Sequence, residues 1–84
     1  MQQVRVAVAG ATGKAGREMV RAIVRDQGFA LTGAIALQGI GSDVGDLIGL
    51  ESGQTGVLVQ GSLEDALKAG LVADVLVDFT NPAA

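Results

Sequence analysis

Cysteine, histidine, tryptophan and tyrosine are all absent from this chain of 84 residues, and proline occurs once. Without cysteine there is neither a disulfide nor a thiolate ligand, and without histidine the usual imidazole ligand and acid-base group are missing. Metal catalysis, Cys or His nucleophilic schemes and histidine proton transfer are therefore excluded from these residues. Two phenylalanines are the only aromatics, so the core must be aliphatic and no stacking platform for a single-stranded nucleic acid exists. Basic residues are also few, six against nine acids, which argues further against a nucleic-acid partner. Long apolar runs are lacking too. None approaches the roughly 20 residues that span a bilayer, and no signal peptide precedes the first apolar segment, so a cytoplasmic protein without a membrane partner is expected.

What the chain does have is 49% hydrophobic residues, mostly Val, Leu, Ile and Ala, which favours an aliphatic α/β domain over disorder. The length allows one small domain. The net charge of −3 hides an asymmetry. Arg5, Lys14, Arg17, Arg21 and Arg25 stand against Glu18 alone in the first 25 residues, whereas the rest carries Lys68 against eight acids. The positive end coincides with the most informative stretch.

That stretch runs from Val4 to Gly16. Val4 to Ala9 reads as a strand covered on both faces, and Gly10, Gly13 and Gly16 then lead into a helical pattern. Glycine adopts positive φ and brings no Cβ, so the backbone can turn sharply and lie close to an anion. The first amides of the following helix lack intrahelical partners, and the helix dipole adds partial positive charge. A pyrophosphate matches such a turn, here in a GxxGxxG spacing rather than the commoner GxGxxG. A P-loop is rejected, because it would need glycine where Val8 stands and a hydroxyl residue where Ala15 stands. The plainer alternative is a tight strand-to-helix connection that binds nothing.

Helical spacing of Ala15, Met19, Val20, Ile23 and Val24 predicts a helix over 14–27, with Gly28 as its stop. Arg17, Arg21 and Arg25 share one face, which reads either as a basic stripe attracting phosphate or as a solvated face with Glu18 pairing to Arg21; for Arg21 and Arg25, beyond the first turn, the solvated face is the expectation. Residues 30–36 form the second strand, closing a right-handed βαβ unit. The ribose-reading positions at its end are Ala36 and Leu37, followed by Gln38, with neither an acid nor an arginine among them. Residues 38–56 are expected to be a long surface loop with a helical turn near 44–48, and its acids Asp43, Asp46 and Glu51 to be solvated rather than metal-binding. A short strand over 56–60, a helix begun by the capping box of Ser62 and Asp65 and ended at Gly70, and a fourth strand over 74–80 complete the pattern. Asn81 and Pro82 are suited to cap and open a further helix, which makes the chain read as a natural or engineered fragment of something longer. The expected architecture is α/β: a Rossmann-like half with a parallel four-stranded sheet in the order 3-2-1-4, flanked by helices.

The segments Gly10-Ala-Thr-Gly-Lys-Ala-Gly16, Gly33-Ala-Ile, Ser42-Asp-Val-Gly-Asp-Leu, Gly56-Val-Leu-Val and Asp74-Val-Leu-Val-Asp-Phe-Thr-Asn-Pro82 resemble, in order, the N-terminal domain of the 4-hydroxy-tetrahydrodipicolinate reductases. The terminal Asp-Phe-Thr-x-Pro block is the specific part. The resemblance implies the NADH- or NADPH-binding portion of an enzyme of lysine and diaminopimelate biosynthesis. It places the pyrophosphate at Gly10, Ala11, Thr12, Gly13, Lys14 and Ala15, and the nicotinamide end at Phe79 and Thr80. The family's ribose-binding acid and adjacent arginine would fall on Ala36 and Leu37, which match neither, and its usual methionine after the basic residue of the turn is Ala15. Each lost charge-assisted hydrogen bond costs about 1.5 to 3 kcal/mol, so cofactor binding is expected to be weak or lost. The family's catalytic segments have no counterpart in these 84 residues, and no catalytic or metal-binding residue is assigned. Two other readings compete. One is a non-enzymatic Rossmann half that self-associates through its open fourth-strand edge, and the other a small phosphate or mononucleotide module complete in itself.

Overall fold

The computed structural model describes residues 2–80. Four parallel strands, β1 (Val4–Ala9), β2 (Phe29–Ile35), β3 (Val59–Gln60) and β4 (Val75–Asp78), form one sheet in the order β3-β2-β1-β4. The helices are α1 (Lys14–Arg25), α2 (Val44–Ile48) and α3 (Leu63–Lys68). This is the expected Rossmann-like half. The chain winds outward from β1 to β3 and then returns to β4 on the other side of β1, so the winding reverses between β1 and β4. In open α/β sheets the crevice for a ligand forms at the carboxyl ends of the strands where the order reverses.

Alternation along β1 feeds both layers. Val6 and Val8 join Val20 and Ile23 of α1, Val44 and Ile48 of α2, Ala34 and Val59 in the larger core. Ala9 faces the other way, toward Ile35, Ala66 of α3 and Leu71. Small residues suffice on that second face because Leu71, just after α3, packs closely against it: a Cβ on Gly33 would lie 3.0 Å from the Ala7 Cβ and collide with the Leu71 side chain.

Several boundaries differ from expectation. Helix α1 ends at Arg25 rather than Gln27, and Gly28 is not its left-handed stop; the Asp26 amide donates back to Ile23 O and the Asp26 carboxylate accepts from the Gly28 amide at 2.8 Å. An aspartate that satisfies the amide two residues on offers the chain a turn in place of another helical one. The third strand keeps only Val59 and Gln60, because the residues before it bend toward α2: Val57 O accepts from the Val44 amide, and Leu58 bridges to Asp43 in the antiparallel sense. For α3 the expectation holds. Ser62 Oγ accepts from the Asp65 amide at 3.0 Å, and Gly70 at φ +97° closes the helix with Gly70 N donating to Leu67 O and Leu71 N to Ala66 O.

The stretch 38–56 departs most from the sequence reading. Asp43 is buried rather than solvated, at 7% exposure, and its carboxylate accepts from the Gly45 amide at 2.8 Å, the Thr55 amide at 2.9 Å, the Thr55 hydroxyl at 3.0 Å and the Gly56 amide at 2.7 Å. One side chain thus caps α2 and ties the far end of the loop to its start. Burial alone would push this carboxyl up, but the hydrogen bonds from Thr55, Gly45 and Gly56 more than offset it and hold it below the usual range. Arg21 braces the same region from α1: as expected it pairs with Glu18, at 2.7 Å, and it also donates to Ile48 O at 2.8 Å, at the end of α2.

Strand β4 is fastened at its start by Asp74. Its carboxylate accepts from the Arg5 amide and, in a bidentate pair, from Nε and Nη2 of the Arg5 guanidinium, while its own amide donates to Arg5 O. The Arg5 side chain holds the Asp74 carboxyl below the usual range. The opposite edge of β4 has no partner strand among the described residues. The expected cap at Asn81 and Pro82 lies outside those residues. No described helix is long and apolar enough to cross a membrane.

Candidate functional site

The glycine turn closes over the end of β4. Gly10 takes φ +75°, and a Cβ there would sit 2.9 Å from the Phe79 carbonyl carbon and 3.1 Å from the Thr80 nitrogen. The Gly10 and Ala11 amides both donate to Ile35 O at the end of β2, and the Phe79 amide donates to Ala9 O. Three strand ends are therefore drawn together around one turn. Gly16 completes the junction: a Cβ there would fall 1.8 Å from Gly10 O, so α1 can only start where it does because position 16 has no side chain.

The N-terminus of α1 is left open by this construction. Its cap, Gly13, offers no side-chain acceptor, and no acid lies in the first turn. Gly13 N is used by Gly10 O and Arg17 N by Gly13 O, whereas the amides of Lys14, Ala15 and Gly16 have no acceptor among the described residues. Unpaired amides at a helix start with Lys14 beside them suit an anion. Of the residues assigned to the pyrophosphate, Gly10, Thr12 and Gly13 line the cleft, Lys14 and Ala15 are exposed at the helix start, and Ala11 is buried in the larger core. Ala11 thus contributes position rather than contact.

The cleft encloses about 480 Å³. Its far wall is Ile35, Ala36, Leu37, Gln38 and Gly61, and Phe79 and Thr80 close the third side. The two motifs assigned from sequence to the pyrophosphate and to the nicotinamide end of a dinucleotide thus share one cavity. Thr80 is oriented by Asp78, whose carboxylate accepts the Thr80 amide at 2.8 Å and the Thr80 hydroxyl at 2.5 Å. The Thr80 hydroxyl holds the Asp78 carboxyl below the usual range. Sequence reasoning passed over Asp78 as a strand residue; the Asp-x-Thr spacing, which allows such a turn, was the available signal. No described group of three or more acids forms a candidate metal cluster.

Residues 4–84 match the family model for the N-terminus of dihydrodipicolinate reductase. The chain belongs to that family. It is also 56% identical over 80 residues to the 4-hydroxy-tetrahydrodipicolinate reductase of Symbiobacterium thermophilum. The alignment takes in 95% of this chain and 31% of that relative, so the chain spans about a third of the relative's length. Membership accounts for the co-occurrence of the glycine turn with the Phe79-Thr80 block, since in this fold one closes on the other.

Proposed function

We propose that residues 1–84 are the N-terminal dinucleotide-binding domain of a 4-hydroxy-tetrahydrodipicolinate reductase, an NAD(P)H-dependent oxidoreductase of lysine and diaminopimelate biosynthesis. The observation that carries this is the shared cleft: an uncapped helix start with free amides on one side and Phe79-Thr80 on the other, at the point where the strand order reverses. A dinucleotide fits this arrangement with its pyrophosphate over Gly10, Thr12 and Gly13 and toward the Lys14 and Ala15 amides. Phe79 and Thr80 border the nicotinamide end, where Asp78 holds the Thr80 hydroxyl in one orientation. The cofactor, when bound, supplies the hydride. The chain's own residues bind and orient it; the family's catalytic segments have no counterpart in these 84 residues, so this domain is assigned cofactor binding and no catalytic step. Titration calorimetry of the 84-residue chain with NADH and with NADPH is expected to give saturable heats in the high micromolar to millimolar range; no saturable heat for either at millimolar cofactor would sink this reading.

The open edge of β4 favours a second property. Val75 and Leu76 are exposed, and apolar hollows flank the strand on both faces, one of about 200 Å³ bordered by Met19, Ile23 and Val77 and one of about 510 Å³ bordered by Leu63, Leu67 and Leu71. An unpaired strand with apolar faces templates another strand. Two copies of the isolated chain pair through β4 into a continuous sheet. Sedimentation velocity across micromolar to millimolar concentration is expected to show a monomer-dimer equilibrium, and a monomer throughout would refute it.

A further inference from the structure

The free edge of β4 carries enough detail to fix how a second copy pairs with it. In the parallel ladder, Val75 and Val77 stand opposite Val6 and Val8 of β1, and the Phe79 amide donates to Ala9 O at 2.9 Å. Backbone groups of alternate residues point to the same side of a strand. Val75, Val77 and Phe79 therefore address β1, while the amides and carbonyls of Leu76 and Asp78 point outward. Side chains sort by the same alternation. Val77 packs on the larger core beside α1, whereas Leu76 and Asp78, opposite Ala7 and Ala9, lie on the α3 face. Asp74 falls on that face as well, beside Leu63, Leu67 and Leu76.

We infer that two copies pair antiparallel about a two-fold axis through Val77, with Leu76 opposite Asp78 of the other copy and Val77 opposite its own counterpart. This rests on the edge-pairing reading above and adds its register. A symmetric antiparallel pair must set outward-facing residues against one another, which leaves axes through Leu76, Val77 or Asp78. The axis through Leu76 puts Asp74 directly opposite Asp78, and the axis through Asp78 puts that residue opposite itself. Like charges directly opposite are destabilising. Only the axis through Val77 avoids both, and its two hydrogen-bonded pairs exchange about four backbone bonds. The two Asp78 carboxylates are then diagonal neighbours roughly 7 to 8 Å apart, where salt screens exposed charges. On the α1 face Val77 meets Val77, and the hollow bordered by Met19 and Phe29 runs on into that of the other copy. Because the other copy runs the opposite way, the two glycine-turn clefts lie at opposite ends of the joined sheet.

The chain has no cysteine, so a single introduced thiol reports the register. Val77 and its counterpart form a non-hydrogen-bonded pair, whose Cα atoms lie about 4.5 Å apart and within disulfide reach. In a glutathione redox buffer, Val77→Cys is expected to form a covalent dimer at least about tenfold faster than Leu76→Cys, whose counterpart is diagonal, or Val75→Cys, whose counterpart is roughly 13 Å along the strand. Amide hydrogen exchange of the unaltered chain gives a second readout. Raising the concentration from micromolar to millimolar is expected to slow exchange at Leu76 and Asp78 and to leave β3 unchanged. A covalent dimer that forms fastest through Leu76 or Val75 overturns the register and leaves edge pairing standing. Dimers whose concentration-dependent protection spares Leu76 and Asp78 overturn both, as does a monomer at every concentration.

Discussion

Gly16→Ala is expected to cost the domain about 3 kcal/mol or more and to lower its melting temperature by roughly 15 to 20 °C. A methyl group at that position would lie 1.8 Å from Gly10 O, 2.6 Å from the Gly10 carbonyl carbon and 3.0 Å from the Ala11 Cα. All three are backbone atoms of a turn pinned by hydrogen bonds to Ile35 O, so no rotamer change relieves the contact. Either α1 lifts away from the sheet, uncovering Val20 and Ile23, or the turn opens and separates from Phe79 and Thr80. A domain this size has a total stability of roughly 4 to 12 kcal/mol, so the change takes a large share of it. Gly13→Ala is the matching control. A Cβ there would be 3.4 Å from Gly10 O and its φ of −74° suits any residue, so its melting temperature is expected to stay within about 5 °C of the parent. Thermal melts followed by circular dichroism decide the matter, and a Gly16→Ala chain as stable as the Gly13→Ala one would show that the helix does not pack this close.

Asp43→Asn is expected to destabilise the domain by about 2 to 3 kcal/mol and to change how it responds to acid. The aspartate receives four donors on two oxygens. Asparagine keeps one oxygen and turns an NH₂ toward the rest. If the oxygen faces Gly45 and Thr55, the amide nitrogen meets the Gly56 N–H, donor against donor. Since the folded carboxyl is held below its ordinary value near 4, its contribution is fully present above that value and is lost as pH falls through the folded one. Asp74 and Asp78 are shifted the same way and add to the same acid limb. Urea denaturation at neutral pH and at successive steps below pH 4 should therefore show the parent losing stability faster than Asp43→Asn. Parallel pH profiles for the two proteins would remove Asp43 from this role.

Much of the fold was legible because local rules and global packing agree. Val4 to Ala9 is apolar at every position but Arg5, which only a strand covered on both faces tolerates, and the helical period resumes immediately after Gly13. Ser62 announced α3 by the spacing to Asp65 alone, since an N-cap acts within its own turn. Arg21 was legible in part: its pairing to Glu18 is a contact along one helix, whereas its bond to Ile48 O joins elements 27 residues apart. Asp43 was misread for the same reason. Its donors at Thr55 and Gly56 are 12 and 13 residues away, and before the loop folds nothing distinguishes it from Asp46 or Glu51, which are exposed.

The sequence by itself determined the glycine turn, the strand-helix-strand order and, through the absence of histidine and cysteine, which chemistries these residues exclude. Those are properties of residue types at short spacing, and short-range sterics and hydrogen bonding suffice to impose them. Only the tertiary structure decided that Gly10 rests on the Phe79-Thr80 backbone, that Gly16 touches Gly10 O, that Ala11 supports the core instead of facing the cleft, and that an acid in a glycine-rich loop is the buried tie holding that loop together. Each of these depends on elements brought together by the winding of the sheet. Strand order fixes which ends meet, and close packing there decides whether a side chain is tolerated.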